Sequence, residues 1–416
     1  MRSVRMLLRA LGVERAVVVG VDWEGDVGRQ VLVVRVRPRK KDEGRCCRCG
    51  RKCPRYDRGG GPRRWRCPDV GLCPAYIEAE APRVRCREHG VVVQHVPWAR
   101  AGSRFTTVFE DQVAWLAVRT DKTTLAGLLK IAWTTVGRIL ERVAQSMKGQ
   151  RDPFANVTRI GIDEVAYRKG HRYLTVVVDH DSGRLLWASP GRDEETLRTF
   201  FDLLGPERSG RIRLVSSDAA AWIHNVVRER CPNARLCLDP FHVVQWATKA
   251  LDDVRRAVWN QLRKSGQKER AKALKGARWA LWKNHGDLTE EQQATLSRIE
   301  RDNKPLFRAY LLKEQLRSVF QEPDPNLAKF TLDAWLAWAS RSRLAPFVKA
   351  ARSIRKHRAA IHDVLEHRLS NARIEAMNTK LRLLTRLAFG FHSHAPLIAL
   401  AMLKLGGLCP PLPARP

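Results

Sequence analysis

The chain of 416 residues has no run of about 18 uninterrupted apolar residues, the length a membrane-spanning helix needs. The opening stretch "MRSVRMLLRALGVER" carries early arginines, but Arg9 and Glu14 break its apolar part, which argues against a signal peptide. Nor does any segment join a bulky apolar face to a lysine tract, as a helix lying on a membrane surface would. We therefore expect an intracellular, cytoplasmic protein with no membrane partner. Acidic residues are also scarce. Asp and Glu number 43 against 76 Lys and Arg, a formal charge of +33. Such an excess repels itself in a compact state and attracts polyanions. Nucleic acid is the partner class it favours. The remaining composition, 44% hydrophobic and 29% charged, suits an ordered chain of two or three domains.

A reducing compartment gives the ten cysteines a different meaning from disulfides, because metal ligation is the commoner use there. Cys46, Cys47, Cys49, Cys53, Cys67, Cys73 and Cys86 crowd the first part of the chain. Cys46-x-x-Cys49 is followed by Gly50, and Cys86-x-x-His89 by Gly90. Each pair is a knuckle whose glycine permits a tight turn. Together they offer the four N/S ligands of a tetrahedral structural zinc. The alternating "AYIEAEAPRVRC" between them reads as strands, so a zinc ribbon is expected. Cys67 and Cys73 are alternative ligands or the start of a second site. Before the ribbon, "RAVVVGVDWEGDVGRQVLVVRVRPRK" reads as strands around a turn at Glu24 to Gly28.

Helical periodicity follows in "TTVFEDQVAWLAVRTDKTTLAGLLKIAWTTVGRILERVAQSM". Its second half divides into two short helices. Leu125, Leu128 and Leu129 give the first an apolar face, and Val136, Ile139, Leu140 and Val143 bury the second. Thr134 or Thr135 is placed to cap the second helix. Arg138 and Arg142 would lie on its outer side. This is the layout of a helix-turn-helix, with Thr135, Arg138 and Arg142 as DNA-contacting candidates.

From residue 158 the texture changes. "TRIGIDEVAY", "HRYLTVVVDH" and "RLLWAS" read as three strands joined by short turns. A helix beginning near Asp193 follows, then the strand "RIRLVSSD", the helix "AAAWIHNVVRERC", the strand "ARLCLD" and a long helix opened by Pro240. The order β-β-β-α-β-α-β is that of a ribonuclease-H-like fold, in which the first and fourth strands are neighbours. Asp163 in the first strand and Asp218 at the end of the fourth would then meet at one sheet edge. Two close carboxylates repel unless a divalent cation lies between them. Magnesium suits a few carboxylates plus water and phosphate oxygens. Glu164 alternates to the other side of the strand from Asp163. A third acid is sought further along, and Glu375 is the best candidate. It lies in the helical "LSNARIEAMNTKLRLLTRLAFGF", with Ser370 or Asn371 near the start and Asn378, Lys380, Arg382 and Arg386 after it. The last three are placed to hold DNA phosphates.

On "RVRCREHGVVVQHVPWA", "IGIDEVAYRKGHRYLTVVVD", "VSSDAAAWI", "DPFHVV" and "LSNARIEAMNTKLRLLTRLAFGF", taken in this order, the chain resembles the ISL-three family of insertion-sequence transposases. The resemblance covers nearly the whole chain. It implies a DDE transposase with Asp163, Asp218 and Glu375 as the triad, holding Mg²⁺ or Mn²⁺. It implies Cys46, Cys49, Cys86 and His89 as ligands of a structural Zn²⁺. "DPFH" resembles a D-x-x-H signature, which makes Asp239 and His242 candidates for active-site support. Ala219 stands where the family pattern has Met.

The expected architecture is α+β and multidomain. Residues 1–100 would hold the N-terminal strands and zinc ribbon, and 101–150 the helix-turn-helix. Residues 151–264 would be the first part of a ribonuclease-H-like catalytic core, 265–365 an all-helical insertion with Trp279, Trp282, Trp335 and Trp338, and 366–416 the rest of the core. The expected function is metal-dependent cleavage at insertion-sequence ends and strand transfer into target DNA. The expected partners are double-stranded terminal inverted repeats, target DNA and a second copy of the chain, with the protein associated with a bacterial nucleoid. The rival expectations are a DNA-binding regulator and a nuclease or resolvase on the same fold.

Overall fold

The computed structural model describes residues 2–13, 15–26, 30–150, 152–369, 371–388 and 390–413. It forms two compact units. One comprises Met1–Pro153 and Leu383–Pro416, the other Phe154–Arg382.

The first unit begins with helix α1 (Arg2–Ala10) and seven strands: β1 (Ala16–Glu24), β2 (Val31–Pro38), β3 (Arg55–Asp57), β4 (Pro62–Val70), β5 (Cys73–Glu80), β6 (Arg83–Cys86) and β7 (Gly90–Val93). The expected turn at Glu24 to Gly28 lies partly outside the described residues. β1, β2, β5 and β4 form a four-stranded sheet in that order, with β2 and β5 parallel and the outer pairs antiparallel. The alternation in "VLVVRVRP" and "AYIEAE" sends Leu32, Val34, Val36 and Ile77 into a core shared with Trp65 and Trp98. β3, β6 and β7 form a separate small antiparallel sheet.

Three helices follow: α2 (Thr107–Ala117), α3 (Lys122–Leu129) and α4 (Trp133–Gln150). Asp121 caps α3 by accepting from the Thr123 and Thr124 amides at 2.9 Å. α3 stops at Lys130, whose φ of 51° is left-handed. Two expectations for this segment need correction. The Ala132 carbonyl accepts from the Thr135 and Val136 amides. α4 therefore starts before Thr134 and Thr135, and these residues lie in its first turn rather than capping it. Leu128 is 63% exposed, because the packed side of α3 runs through Lys122, Leu125 and Leu129. Val136, Ile139, Leu140 and Val143 are buried as the period requires.

The second unit is built on β8 (Arg159–Arg168), β9 (Arg172–Asp179), β10 (Leu185–Pro190), helices α5 (Glu194–Leu204) and α6 (Pro206–Ser209), β11 (Leu214–Ser217), α7 (Ala221–Arg230) and β12 (Arg235–Leu238). The sheet order is β10-β9-β8-β11-β12. The first three strands form an antiparallel meander, whereas β11 runs parallel to both β8 and β12. β8 is thus central. Asp193 caps α5, and Asp239 with Pro240 opens the 25-residue α8 (Pro240–Lys264).

Helices α9 (Lys268–Gly276), α10 (Arg278–Trp282), α11 (Glu290–Asp302), α12 (Lys304–Val319), α13 (Pro325–Arg341), α14 (Ala345–Lys356) and α15 (Arg358–His367) follow. They share one apolar core with α8. Trp335 is fully buried there and donates its indole N–H to the Leu312 carbonyl at 2.7 Å. Trp282 and Trp338 pack against the same core, while Trp279 is 58% exposed. Helix α16 (Ala372–Leu387) carries Glu375, and the boundary between the units falls within it. Ser370 lies outside the described residues. In the first unit, α17 (His394–Leu405) packs on α4.

Candidate active site and metal centre

The two knuckles bring Cys46, Cys49, Cys86 and His89 together, with one ligand atom from each within 4.8 Å of all the others. Gly50 and Gly90 follow the two pairs at φ of +69° and +66°, where a side chain would be strained. The Cys49 and Cys86 sulfurs are 3.7 Å apart, and His89 Nδ1 lies 3.7 Å from Cys46 Sγ and 3.6 Å from Cys86 Sγ. Metal–sulfur bonds of about 2.3 Å place tetrahedral vertices roughly that far apart. His89 holds the Cys86 thiol down at about 6. The donor set therefore fits zinc. Among the described residues it is the one close cluster of His, Cys, Asp and Glu of this kind. Cys67 is instead buried in the core of the four-stranded sheet, where burial pushes its thiol up to about 12. Neither it nor Cys73 joins the ligand set.

In the second unit, β11 pairs with β8 so that Ser216 faces Gly161. Carried two residues further, the register puts Asp218 level with Asp163. Asp163 is largely removed from water, and this burial raises its carboxyl above the usual range. The nearby Asp218 charge pushes the same way. Both Asp163 oxygens are held. Oδ1 accepts from the Glu164 amide at 2.7 Å, and Oδ2 accepts from Asn378 Nδ2 at 2.6 Å. Asp218 Oδ1 accepts from the Ala220 amide at 3.0 Å, and its carbonyl accepts from His224 Nε2 at 2.9 Å. Glu164 points to Arg192, with Oε2 3.3 Å from its Nε.

Asp239 is buried beneath His242. Its Oδ2 accepts from His242 Nδ1 at 3.0 Å, and this bond raises the imidazole above its ordinary value. The charges of Asp218 and Asp163 add to the shift. His242 thus lies in the field of both acids. Glu375 is exposed on α16, one helical turn before Asn378. Asp163, Asp218 and Glu375 do not form a tight ligand cluster of the kind seen at the knuckles. Lys380, Arg382 and Arg386 are exposed on the same helix.

In the helix-turn-helix region Arg138 is exposed and Thr135 half-buried. Arg142 is not on the outer side as expected. It binds the fully buried Glu110, Nε to Oε1 at 2.8 Å, and Arg100 takes the other oxygen at 3.2 Å. A buried carboxylate needs such counter-charges. Asn378 is the residue whose contact the sequence did not single out. Its position at i+3 from Glu375, on the same helix face, was the available signal.

Three family patterns match the chain. A transposase pattern covers residues 160–401, the helix-turn-helix domain of transposase family ISL3 covers 94–144, and the zinc-finger of transposase IS204/IS1001/IS1096/IS1165 covers 42–89. The chain belongs to the ISL3 (ISL-three) family of transposases. It is 52% identical, over all of its length and 98% of the relative's, to the transposase for insertion sequence element IS1557 of Mycobacterium tuberculosis. It is 28% identical, over 91% of both chains, to the transposase for insertion sequence element IS1001 of Bordetella parapertussis. As an ISL3 member it combines a zinc ribbon, a helix-turn-helix and a transposase domain, which implies DNA binding. Among the described residues no helix is long and apolar enough to cross a membrane.

Proposed function

We propose that this ISL3 transposase cuts DNA at the ends of its insertion sequence and joins the freed 3′-OH to target DNA by a DDE mechanism. The observation that carries the reading is the parallel register of β11 and β8, which, carried past Ser216 and Gly161, brings Asp218 level with Asp163, with the Glu375 helix bonded to Asp163 through Asn378. The sheet order is the one expected of a ribonuclease-H-like catalytic domain, and we take the helices of 265–365 as an insertion within it. The domain limits proposed are 1–100, 101–150, 151–264, 265–365 and 366–416, with Leu383–Pro416 of the last segment packed in the first unit.

Asp163, Asp218 and Glu375 would hold Mg²⁺ or Mn²⁺, which when bound activates water and the 3′-OH and stabilises charge on the attacking and leaving oxygens. Their hard oxygen donors fit such ions, and the cost of placing Asp163 beside Asp218 is what a cation would relieve. His242, oriented by Asp239 and with its imidazole raised above the ordinary value by that bond, holds a DNA phosphate. Lys380, Arg382 and Arg386 hold phosphates along α16. Thr135 and Arg138 contact the terminal inverted repeats. Arg142 has no such role, because Glu110 already engages it. The protein works as a homodimer or larger assembly on double-stranded DNA, in the cytoplasm at the nucleoid.

The test is direct. Pure protein is incubated with Mg²⁺ and duplexes carrying the sequences that flank its gene. Cleaved and joined products are expected from the wild type and neither from Asp163→Ala, Asp218→Ala or Glu375→Ala. The same products from wild type and Glu375→Ala would sink the mechanism. Cleavage without joining would indicate a resolvase, and binding without cleavage a regulator.

A further inference from the structure

A cleft of about 830 Å³ opens in the first unit. One wall is β4, the edge strand of the four-stranded sheet, at Arg63 and Arg64. The zinc ribbon also lines the cleft, through Arg48 of the first knuckle and Val92 and Val93 of β7. The segment that leads into α2 adds Arg100 and Arg104 to the lining. The Arg66 amide donates to the Arg104 carbonyl and the Thr106 amide to the Arg66 carbonyl, which fixes that segment to β4.

The charges around the cleft fall into two groups. Arg64 is bound by Glu24 and Glu78, and Arg100 by Glu110 and Asp111. Their charge is already compensated. Arg48, Arg63 and Arg104 are exposed and have no carboxylate partner among the described residues. Among the described residues no Asp or Glu lines the cleft. Three uncompensated guanidinium groups in one concavity repel each other and focus a positive field outward. Their planar donor forks match phosphate oxygens. Gln94, the one carboxamide in the lining, spends its oxygen on the Gly44 amide at 2.9 Å. The lining is therefore dominated by guanidinium groups rather than carboxamides, and their forks suit phosphate oxygens along the backbone.

We propose that this cleft grips the sugar–phosphate backbone of DNA through Arg48, Arg63 and Arg104, as a sequence-independent contact separate from helix α4. The proposal rests on the reading that the chain acts on DNA, and it assigns the zinc ribbon a definite share of that work. The ribbon supplies Arg48, and a bound zinc would hold the knuckle loop that carries it.

The experiment compares wild type with the triple variant Arg48→Gln/Arg63→Gln/Arg104→Gln and with the double variant Arg63→Gln/Arg104→Gln, which leaves the knuckle untouched. DNA affinity is measured by fluorescence anisotropy over a range of salt, on an unrelated duplex and on one carrying the flanking sequences. Zinc content and melting temperature show that each variant is folded. Each phosphate contact adds about 0.9 to the slope of log affinity against log salt, so the triple variant should be shallower by about 2.7 and the double by about 1.8. Both duplexes should show the change equally. An unaltered slope in a folded, zinc-loaded double or triple variant overturns the proposal. So does a loss confined to the flanking-sequence duplex, which would mean base reading. Loss of inorganic phosphate binding with an unaltered DNA slope also overturns it, because the site would then serve a free anion. Equal wild-type affinity for the two duplexes would count against end recognition in the proposed function, while the slope on the unrelated duplex still decides the cleft.

Discussion

Asn378 Nδ2 donates to Asp163 Oδ2 at 2.6 Å, across 215 residues of chain. The bond ties helix α16 to strand β8 one helical turn beyond Glu375. Asn378 is 5% exposed, and its own Oδ1 has no partner. The amide is therefore held mainly by its bond to the carboxylate. Asn378→Ala should remove that hold and leave Asp163 fixed by the Glu164 amide on one oxygen alone. We predict at least a tenfold loss of DNA end cleavage with DNA affinity unchanged. The stability cost should be about 1.5–3 kcal/mol, the usual range for a hydrogen bond to a charged group. Asn378→Asp should cut less well still, because it sets a like charge against Asp163. Full cleavage by Asn378→Ala would show that the contact is incidental.

The same helix depends on a missing side chain. A Cβ on Gly161 would stand 2.0 Å from Ile374 Cδ1 and 2.9 Å from His180 Nε2. His180 is itself held, with Nε2 2.7 Å from Ser216 Oγ. Gly161→Ala should therefore push α16 off the strand, at a cost of about 1–3 kcal/mol. Ile374→Ala opens space at that point. In a double-mutant cycle the pair should cost less than the sum of its parts. Simple additivity would mean that the helix does not rest on Gly161.

These contacts also show what the sequence carries and what it does not. The β-branched run in "RYLTVVVD" and the caps Asp193 and Asp239 are local signals, and the elements they announce are present. The paired knuckles are local as well, because ligand spacing and glycine turns sit within a few residues. The bond between Arg142 and Glu110 is not local. Periodicity placed Arg142 on one side of α4 but could not reveal a buried carboxylate 32 residues earlier. Leu128 failed for a related reason. An apolar residue beside a buried stripe is covered only if a neighbour reaches it, and none does. Gly161 and Asn378 are ordinary residues until α16 and β8 come together. Long-range pairing leaves no trace in spacing or composition.

Lys122 makes a prediction with pH. It is buried at the start of α3, its ammonium has no hydrogen-bond partner, and it stands 4.1 Å from the Trp133 ring centre and 4.9 Å from that of Phe391. Burial lowers the amine from its ordinary 10.5 to about 8. Between about 8 and about 10.5 the unfolded chain keeps a proton that the folded chain has released. Stability from this group therefore rises with pH across that window, and below it the folded state carries the buried charge at full cost. The rings attract the cation and offset part of that cost. Lys122→Met should raise the melting temperature at pH 7 and flatten its rise between pH 8 and 10.5. A lower melting temperature at pH 7 would mean that the aromatic attraction outweighs burial.

The small sheet of β3, β6 and β7 contains strands of three and four residues. Its fully buried Val84 is a meagre core. Zinc binding to such sites contributes about 10–16 kcal/mol at neutral pH, and without the metal they commonly unfold. Metal analysis should find about one zinc per chain in the wild type and close to none in Cys86→Ser. Protease should then cut the variant between residues 42 and 96, where the wild type resists. Cys67→Ser is the contrast. Cys67 is buried against the four-stranded sheet, its thiol bonds to the Trp65 carbonyl at 3.8 Å, and burial disfavours the thiolate that a metal needs. Its zinc content should match the wild type, with only a modest fall in melting temperature. Loss of zinc in Cys67→Ser would move the metal away from the knuckles. Loss in Cys86→Ser alone would tie the fold of this sheet, and the position of Arg48 beside the cleft, to one ion.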